Sequence, residues 1–226
     1  MAQASAKPIS TMSLTGKTLE PVKVWSAVAA TKELLDLSRP GALELFTGEL
    51  RQAVARATDA VFLSELIATT APAASAGTSF ANLLTDLAAL LSAVDLSPTS
   101  RVYWIITAAK AKTLALMLVT AGGFAFPQLT VNGGPLIGGV EVLVSDQLPA
   151  NRFLLIVSDG LVGNIDPLAF RQITEGDIQL NTSPDSPSTA ASVLQNMWQH
   201  GIAALAVERY LAFEVARTKA VASLSY

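Results

Sequence analysis

PGALELFTGELRQAVARATDAVFLSEL, residues 40–66, is the longest segment of this chain whose apolar residues keep one helical period. Leu43, Phe46, Leu50, Val54, Ala57 and Val61 step by three or four residues into a single stripe, while Glu44, Glu49, Arg51, Arg56 and Asp59 fall mostly outside it. Pro40 suits a first helical turn, where its missing N–H is not needed, and Ser38 stands where an N-cap belongs. At about 1.5 Å per residue the stretch makes a rod roughly 40 Å long, more than a compact domain of this size needs to cross its core. It therefore predicts an elongated molecule. Gly48 costs about 1 kcal/mol relative to alanine inside a helix and marks a candidate bend or close contact.

Outward from this helix, the chain changes period. From Gly201 the run IAALAVERYLAFEVAR alternates, with Leu205, Val207, Leu211, Phe213 and Val215 on one face together with Arg209, and Ala206, Glu208, Tyr210, Ala212 and Glu214 on the other. That pattern predicts a strand of about 14 residues, long for a globular protein. Before the helix, residues 18–30 read as an extended strand started by Pro21 at an edge, followed by a short amphipathic turn, TKELLDL. After it, the small-residue loop TTAPAASAGTS leads to a second helix over Phe80–Val94. A β-branched strand at 101–107, a third helix at 108–118, short apolar runs on either side of a turn in LTVNGGPLIGGVEVLVSD (129–146) and a buried strand in NRFLLIVSDG (151–160) follow. Asn132-Gly133 predicts a type I′ turn, DIQLNT an exposed strand, and TAASVLQNMWQH (189–200) a weak helix. A long helix and a long late strand separated by a self-contained α/β block predict two lobes, with the chain leaving one and returning to it. The fold class is α+β.

Composition narrows the function. The chain has 226 residues, of which 51% are hydrophobic and only 15% charged, so it buries a sizeable core and leaves an apolar or merely polar surface suited to partners. A net charge of −3 gives no electrostatic footprint for phosphate backbones. There is no cysteine and one histidine, which excludes disulfides, thiolate sites and histidine-cluster metal sites. Residues 1–17 lack the apolar run of a secretory signal and read as an arm. Residues 66–85 and 113–140 are free or nearly free of charge but too diluted by Thr, Pro, Gly and Asn to span a membrane.

No constellation for chemistry survives. Gly16-Lys17-Thr18 is the tail of a phosphate-loop pattern, but Thr11 stands where its first glycine belongs and no apolar strand precedes it. Gly133-Gly134 and Gly138-Gly139 miss dinucleotide-loop spacing. His200 has no nucleophile or ligand partner nearby and reads as a cap or packing residue. Asp159 and Asp166 read as turn formers, Glu175 and Asp177 as a solvated loop around Gly176, and Arg101, Lys110 and Lys112 as a positive rim. The reading is thus no enzyme, with no catalytic, cofactor-binding or metal-binding residue and no cofactor.

The order of these segments resembles the major capsid proteins of tailed bacteriophages, the Hong Kong-type shell fold. VWSAVAATKELLDLSRPGALELFTGELRQAVARATDAVFL resembles that family's strand, turn and spine helix. SRVYWIITAAKAKTLALM, LIGGVEVLVSDQLP and FLLIVSDG resemble its axial domain, with Gly139-Val140-Glu141-Val142 in place of the usual proline version. GIAALAVERYLAFEVARTKAVASL is similar to its long peripheral strand with an arginine, here Arg209. The resemblance covers Thr18 to Tyr226. It implies a peripheral domain at 18–77, an axial domain at 78–181 and a return to the peripheral domain at 182–226.

The function it implies is structural: self-assembly into hexamers and pentamers of an icosahedral head around double-stranded DNA held non-specifically. The implied partners are portal, scaffold and protease, with no membrane. The implied location is the virion capsid, and the host cytoplasm during assembly. Family members carry an N-terminal arm and an extended-loop strand before the segment at Thr18, and this chain has room for at most a remnant. The expectation is a short version or fragment that favours monomers or single rings. The alternative reading is an independent α/β enzyme or small-molecule binding module with its site between two lobes.

Overall fold

The computed structural model describes residues 16, 18–37, 41–119 and 122–226. Ser38, Pro40, Lys17 and most of the arm at 1–17 lie outside the described residues. β1 (Val22–Thr31) runs directly into α1 (Lys32–Leu37), and the long helix α2 (Gly41–Ala68) follows. Next come β2 (Ala73–Ala74), α3 (Phe80–Ala93), β3 (Val102–Ile106), α4 (Ala108–Ala115), β4 (Gly134–Pro135), β5 (Glu141–Val144) and β6 (Arg152–Val157). The last third holds β7 (Leu161–Ile165), β8 (Ala169–Ile173), β9 (Asp177–Ile178), β10 (Gln195–Asn196), the 14-residue β11 (Ile202–Val215) and β12 (Val221–Ser225).

Two sheets organise these elements. In the first, β11 is central: β1 pairs antiparallel along one side, and β7 and β8 share the other. The second has six strands in the order β2-β12-β6-β3-β5-β4. Alternation on β11 turns Val207 and Leu211 toward α2, where they bury with Val24, Leu50 and Val54. The same helix ends in the second sheet's core, with Leu63 and Leu66 packed against Ile105, Leu154, Ile156 and Val221. One helix thus buries parts of its length against both sheets. The opposite face of the second sheet is covered by α3 and α4, around Trp104, Ile106, Phe153 and Leu155. Ser79 and Thr107 cap those two helices, accepting from the backbone N–H of Asn82 (3.2 Å) and Lys110 (3.3 Å).

Several sequence expectations are corrected. The α2 stripe is only partly a packing face: Leu50 and Val54 are fully buried, but Leu43 in the first turn is 40% exposed; Leu45, outside the stripe, is 62% exposed. Residues 189–200 are not helical. Hydroxyl and carboxylate groups there bond locally, Ser192 Oγ donating to Asp185 (2.6 Å) and Thr189 N–H to Ser192 Oγ (2.8 Å), and such bonds compete with a helix. DIQLNT contributes only the two-residue β9. The turn at Asn132-Gly133 is not type I′. Thr130 and Gly133 exchange backbone bonds, and Asn132 is not among the residues at positive φ, which a I′ turn requires at both centres.

Sheet membership also crosses the boundaries expected at 181 and 182. The strands at 161–173 belong to the first sheet with β1 and β11, and those at 221–225 to the second. The two passages between sheets lie side by side, where Gly160 C=O accepts from Ala216 N–H (2.8 Å) and Ala220 C=O from Val157 N–H (2.8 Å).

Candidate functional site

The residues that sequence singled out for chemistry do not converge. His200 is exposed in the turn before β11, its Nδ1 2.9 Å from the Asn196 carbonyl. Asp159 sits in a one-turn helix at Ser158–Gly160. Asp166 lies between β7 and β8, its backbone N–H donating to Tyr210 C=O. Asp177 accepts from Asn196 Nδ2 at 2.9 Å. Gly133 and Gly134 pack against the backbone of Val142 and Gln128, not around an open phosphate-sized nest. Among the described residues no group of His, Cys, Asp and Glu is arranged to hold a metal ion, and no helix is long and apolar enough to cross a membrane.

Of the basic rim, Lys110 is committed to packing, with its Nζ 3.7 Å from the Tyr226 ring centroid. Burial, with the nearby charge of Asp86, pushes the Tyr226 hydroxyl up to about 12. Asp86 is itself buried and anchors the loop before α3, accepting from Ser75 Oγ (2.6 Å) and Ala76 N–H (2.8 Å). A cavity of about 540 Å³ does lie where the segment after α2, α3 and the β11–β12 turn meet, but its wall is mainly alanine and threonine. Among its charged side chains, Arg217 and Lys219 are exposed. That wall lacks the convergent polar set a reaction needs.

The densest electrostatics sit on the first sheet, on the face turned away from α2. Glu208, 8% exposed at the middle of β11, is held by Lys23 of β1 (2.5 Å) and Arg171 of β8 (2.5 Å). Bonding to Lys23, reinforced by Arg171, lowers the Glu208 pKa, and the same bond raises that of Lys23. One carboxylate thereby clips both flanking strands to the central one. This clasp was not anticipated from sequence. The alternation placed Glu208 on this face, but its cationic partners come from strands 37 and 185 residues away along the chain, since Arg171 and Lys23 lie at those separations. Around it, Trp25 (58%) and Tyr210 (46%) are exposed on the same face. Further large apolar side chains are exposed in the loop after α4, where Leu118 and Phe124 face each other across an isolated bridge.

The chain buries a long helix against two sheets and exposes large apolar side chains at separate places. The architecture is the Hong Kong-type shell fold of phage capsids. A solved structure from Gordonia phage Cozz superposes with a TM-score of 0.68 at 14% identity, covering 100% of this chain and 78% of that one. The capsid of an empty GTA particle gives 0.66 at 15% identity, covering 99% and 81%. Mycobacterium phage Ogopogo gives 0.66 at 14% identity, covering 100% and 82%. These likenesses are of fold.

Sequence carries the membership further. A family model described as phage capsid protein matches residues 20–222, and the chain belongs to that family. It is also 30% identical over 243 residues to the capsid polyprotein of Pseudomonas phage PAJU2. The match takes in 99% of this chain but only 36% of that protein, so the chain spans about a third of this curated relative's length.

Proposed function

We propose that this chain is the shell-building unit of a phage head, forming hexamers and pentamers that close into an icosahedral container for double-stranded DNA. The observation that carries this reading is the pairing of one long helix with both sheets in a chain whose family is phage capsid protein. Such a helix keeps two contact-making bodies at a set separation, which a repeating shell requires of every copy. In this reading the first sheet with α2 is the peripheral body and the six-stranded sheet with α3 and α4 is the axial body gathered around five- and sixfold axes.

The remaining assignments are part of the same proposal. Portal, scaffold and protease are the heterologous partners, assembly takes place in the host cytoplasm, and DNA is enclosed without sequence recognition. The low charge supports the last point, because a net charge of −3 gives no overall attraction to a polyanion. Sedimentation velocity of the purified chain with electron microscopy of the faster fraction tests the reading. Rotationally symmetric rings or larger shells support it. A chain that remains monomeric and binds a small metabolite supports a binding module instead.

A further inference from the structure

The sequence TVNGGP, residues 130–135, holds the one asparagine of six that is followed by glycine. The fold turns it into a two-residue tip. Thr130 N–H donates to Gly133 C=O (3.0 Å), Gly133 N–H to Thr130 C=O (3.2 Å), and Thr130 Oγ1 to the same Gly133 C=O (2.6 Å). Val131 and Asn132 between them are exposed, and the Asn132 carboxamide has no hydrogen-bond partner among the described residues. The other asparagines are placed differently. The carboxamides of Asn164, Asn181 and Asn196 are hydrogen-bonded, Asn82 lies inside α3, and Asn151 precedes the bulky Arg152.

A free carboxamide beside a glycine is an electrophile next to an unshielded nitrogen, because Gly133 has no Cβ to keep that nitrogen from Asn132 Cγ. The turn is what restrains them, by tying the Gly133 N–H to Thr130. Hydrogen bonds at an exposed tip open at little cost.

We propose that Asn132 is a self-modifying site, converted from a neutral amide to a carboxylate at a rate set by the opening of the Thr130–Gly133 turn. In the open turn the Gly133 nitrogen gives its proton to a solvent base and attacks Asn132 Cγ. The side-chain nitrogen leaves as ammonia and a cyclic imide closes. Water then adds to the imide. Breaking the new Cγ–N bond leaves aspartate, and breaking the original peptide bond leaves isoaspartate, with the main chain running through Cγ. Water and a base are the only co-reactants, and the chemistry does not depend on the shell reading.

The product matters because of where it forms. Residues 113–140 contain no charged side chain, and Leu116, Leu118, Phe124 and Val131 are exposed in that stretch. Conversion therefore puts a carboxylate into an uncharged, largely apolar surface. The isoaspartate form also adds a carbon to the main chain beside Gly133, where a Cβ would already lie 2.5 Å from the Val142 carbonyl oxygen, so it disturbs the pairing of β4 with β5.

Peptide mapping by mass spectrometry tests the proposal on the intact purified chain, incubated in mildly alkaline buffer beside a synthetic peptide of residues 127–137. The mass gain of an amide-to-acid change should appear at Asn132 ahead of the other five asparagines, more slowly than in the peptide, and faster as pH rises. Thr130→Ala, which removes the hydroxyl bond to Gly133, should speed conversion at least about threefold, while Thr130→Ser keeps the parent rate. The parent measurement needs no variant to fold. Asn132 that is still an amide after about ten half-lives of the peptide overturns the proposal, since a tip this exposed opens readily. Conversion led by another asparagine, or equal rates in the parent and Thr130→Ala, overturns it as well.

Discussion

Phe62 of α2 meets Phe213 of β11 edge to face, with ring centroids 4.9 Å apart and planes at 62°. The contact sits where the helix passes from the first sheet toward the core of the second, so it ties the longest helix to the longest strand near the C-terminal end of each. Edge-to-face pairs add about 0.5–1.5 kcal/mol beyond the area they bury.

The same packing sets the first prediction. Leu211→Ala removes a side chain that is 2% exposed between α2 and β11 and should cost about 2–5 kcal/mol. Leu45→Ala, near the start of the helix at 62% exposure, should stay within about 0.5 kcal/mol. Denaturant unfolding of both variants checks the phase of helix and strand together, and equal losses would contradict it.

Two glycines should respond in opposite directions. An added Cβ at Gly160 would collide with the Ala220 side chain where the two crossings between sheets touch, so Gly160→Ala should destabilise by about 1–3 kcal/mol. Gly48 lies inside α2 with open space around it, and Gly48→Ala should stabilise by about 1 kcal/mol. Thermal midpoints of the two variants should therefore fall on either side of the parent.

The Glu208 clasp makes the first sheet sensitive to acid. The folded Glu208 pKa lies below its ordinary value of 4.5, so its contribution is present above that value and is lost as pH falls through the lowered one. Lys23 is raised above 10.5, so its contribution holds below that value and is lost as pH rises past the raised one. Glu208→Gln should lower stability between those limits and flatten the acid limb. Thermal midpoints measured from neutral pH downward will show whether the variant and parent converge in acid, as this requires.

Much of the architecture was legible because it is periodic. The 3.6-residue stripe around Leu50 and Val54 and the alternation from Ile202 to Val215 each mark one buried face, and these two elements do pack together. What sequence misread depends on contacts between distant residues or on side chains bonding their own backbone. Leu43 continues the stripe of α2 yet stays exposed, because period cannot tell where the opposing sheet ends. Residues 189–200 were lost to serine and aspartate bonding in loops.

Self-association through rotational symmetry is the claim on which the account stands, and electron microscopy of the purified chain at rising concentration tests it most directly. The account predicts particles of five or six copies, or shells built from them, with the six-stranded sheets toward the axis and the long α2–β11 bodies at the rim. A single monomeric species at every concentration, or rings with the six-stranded sheets at the rim, would contradict it.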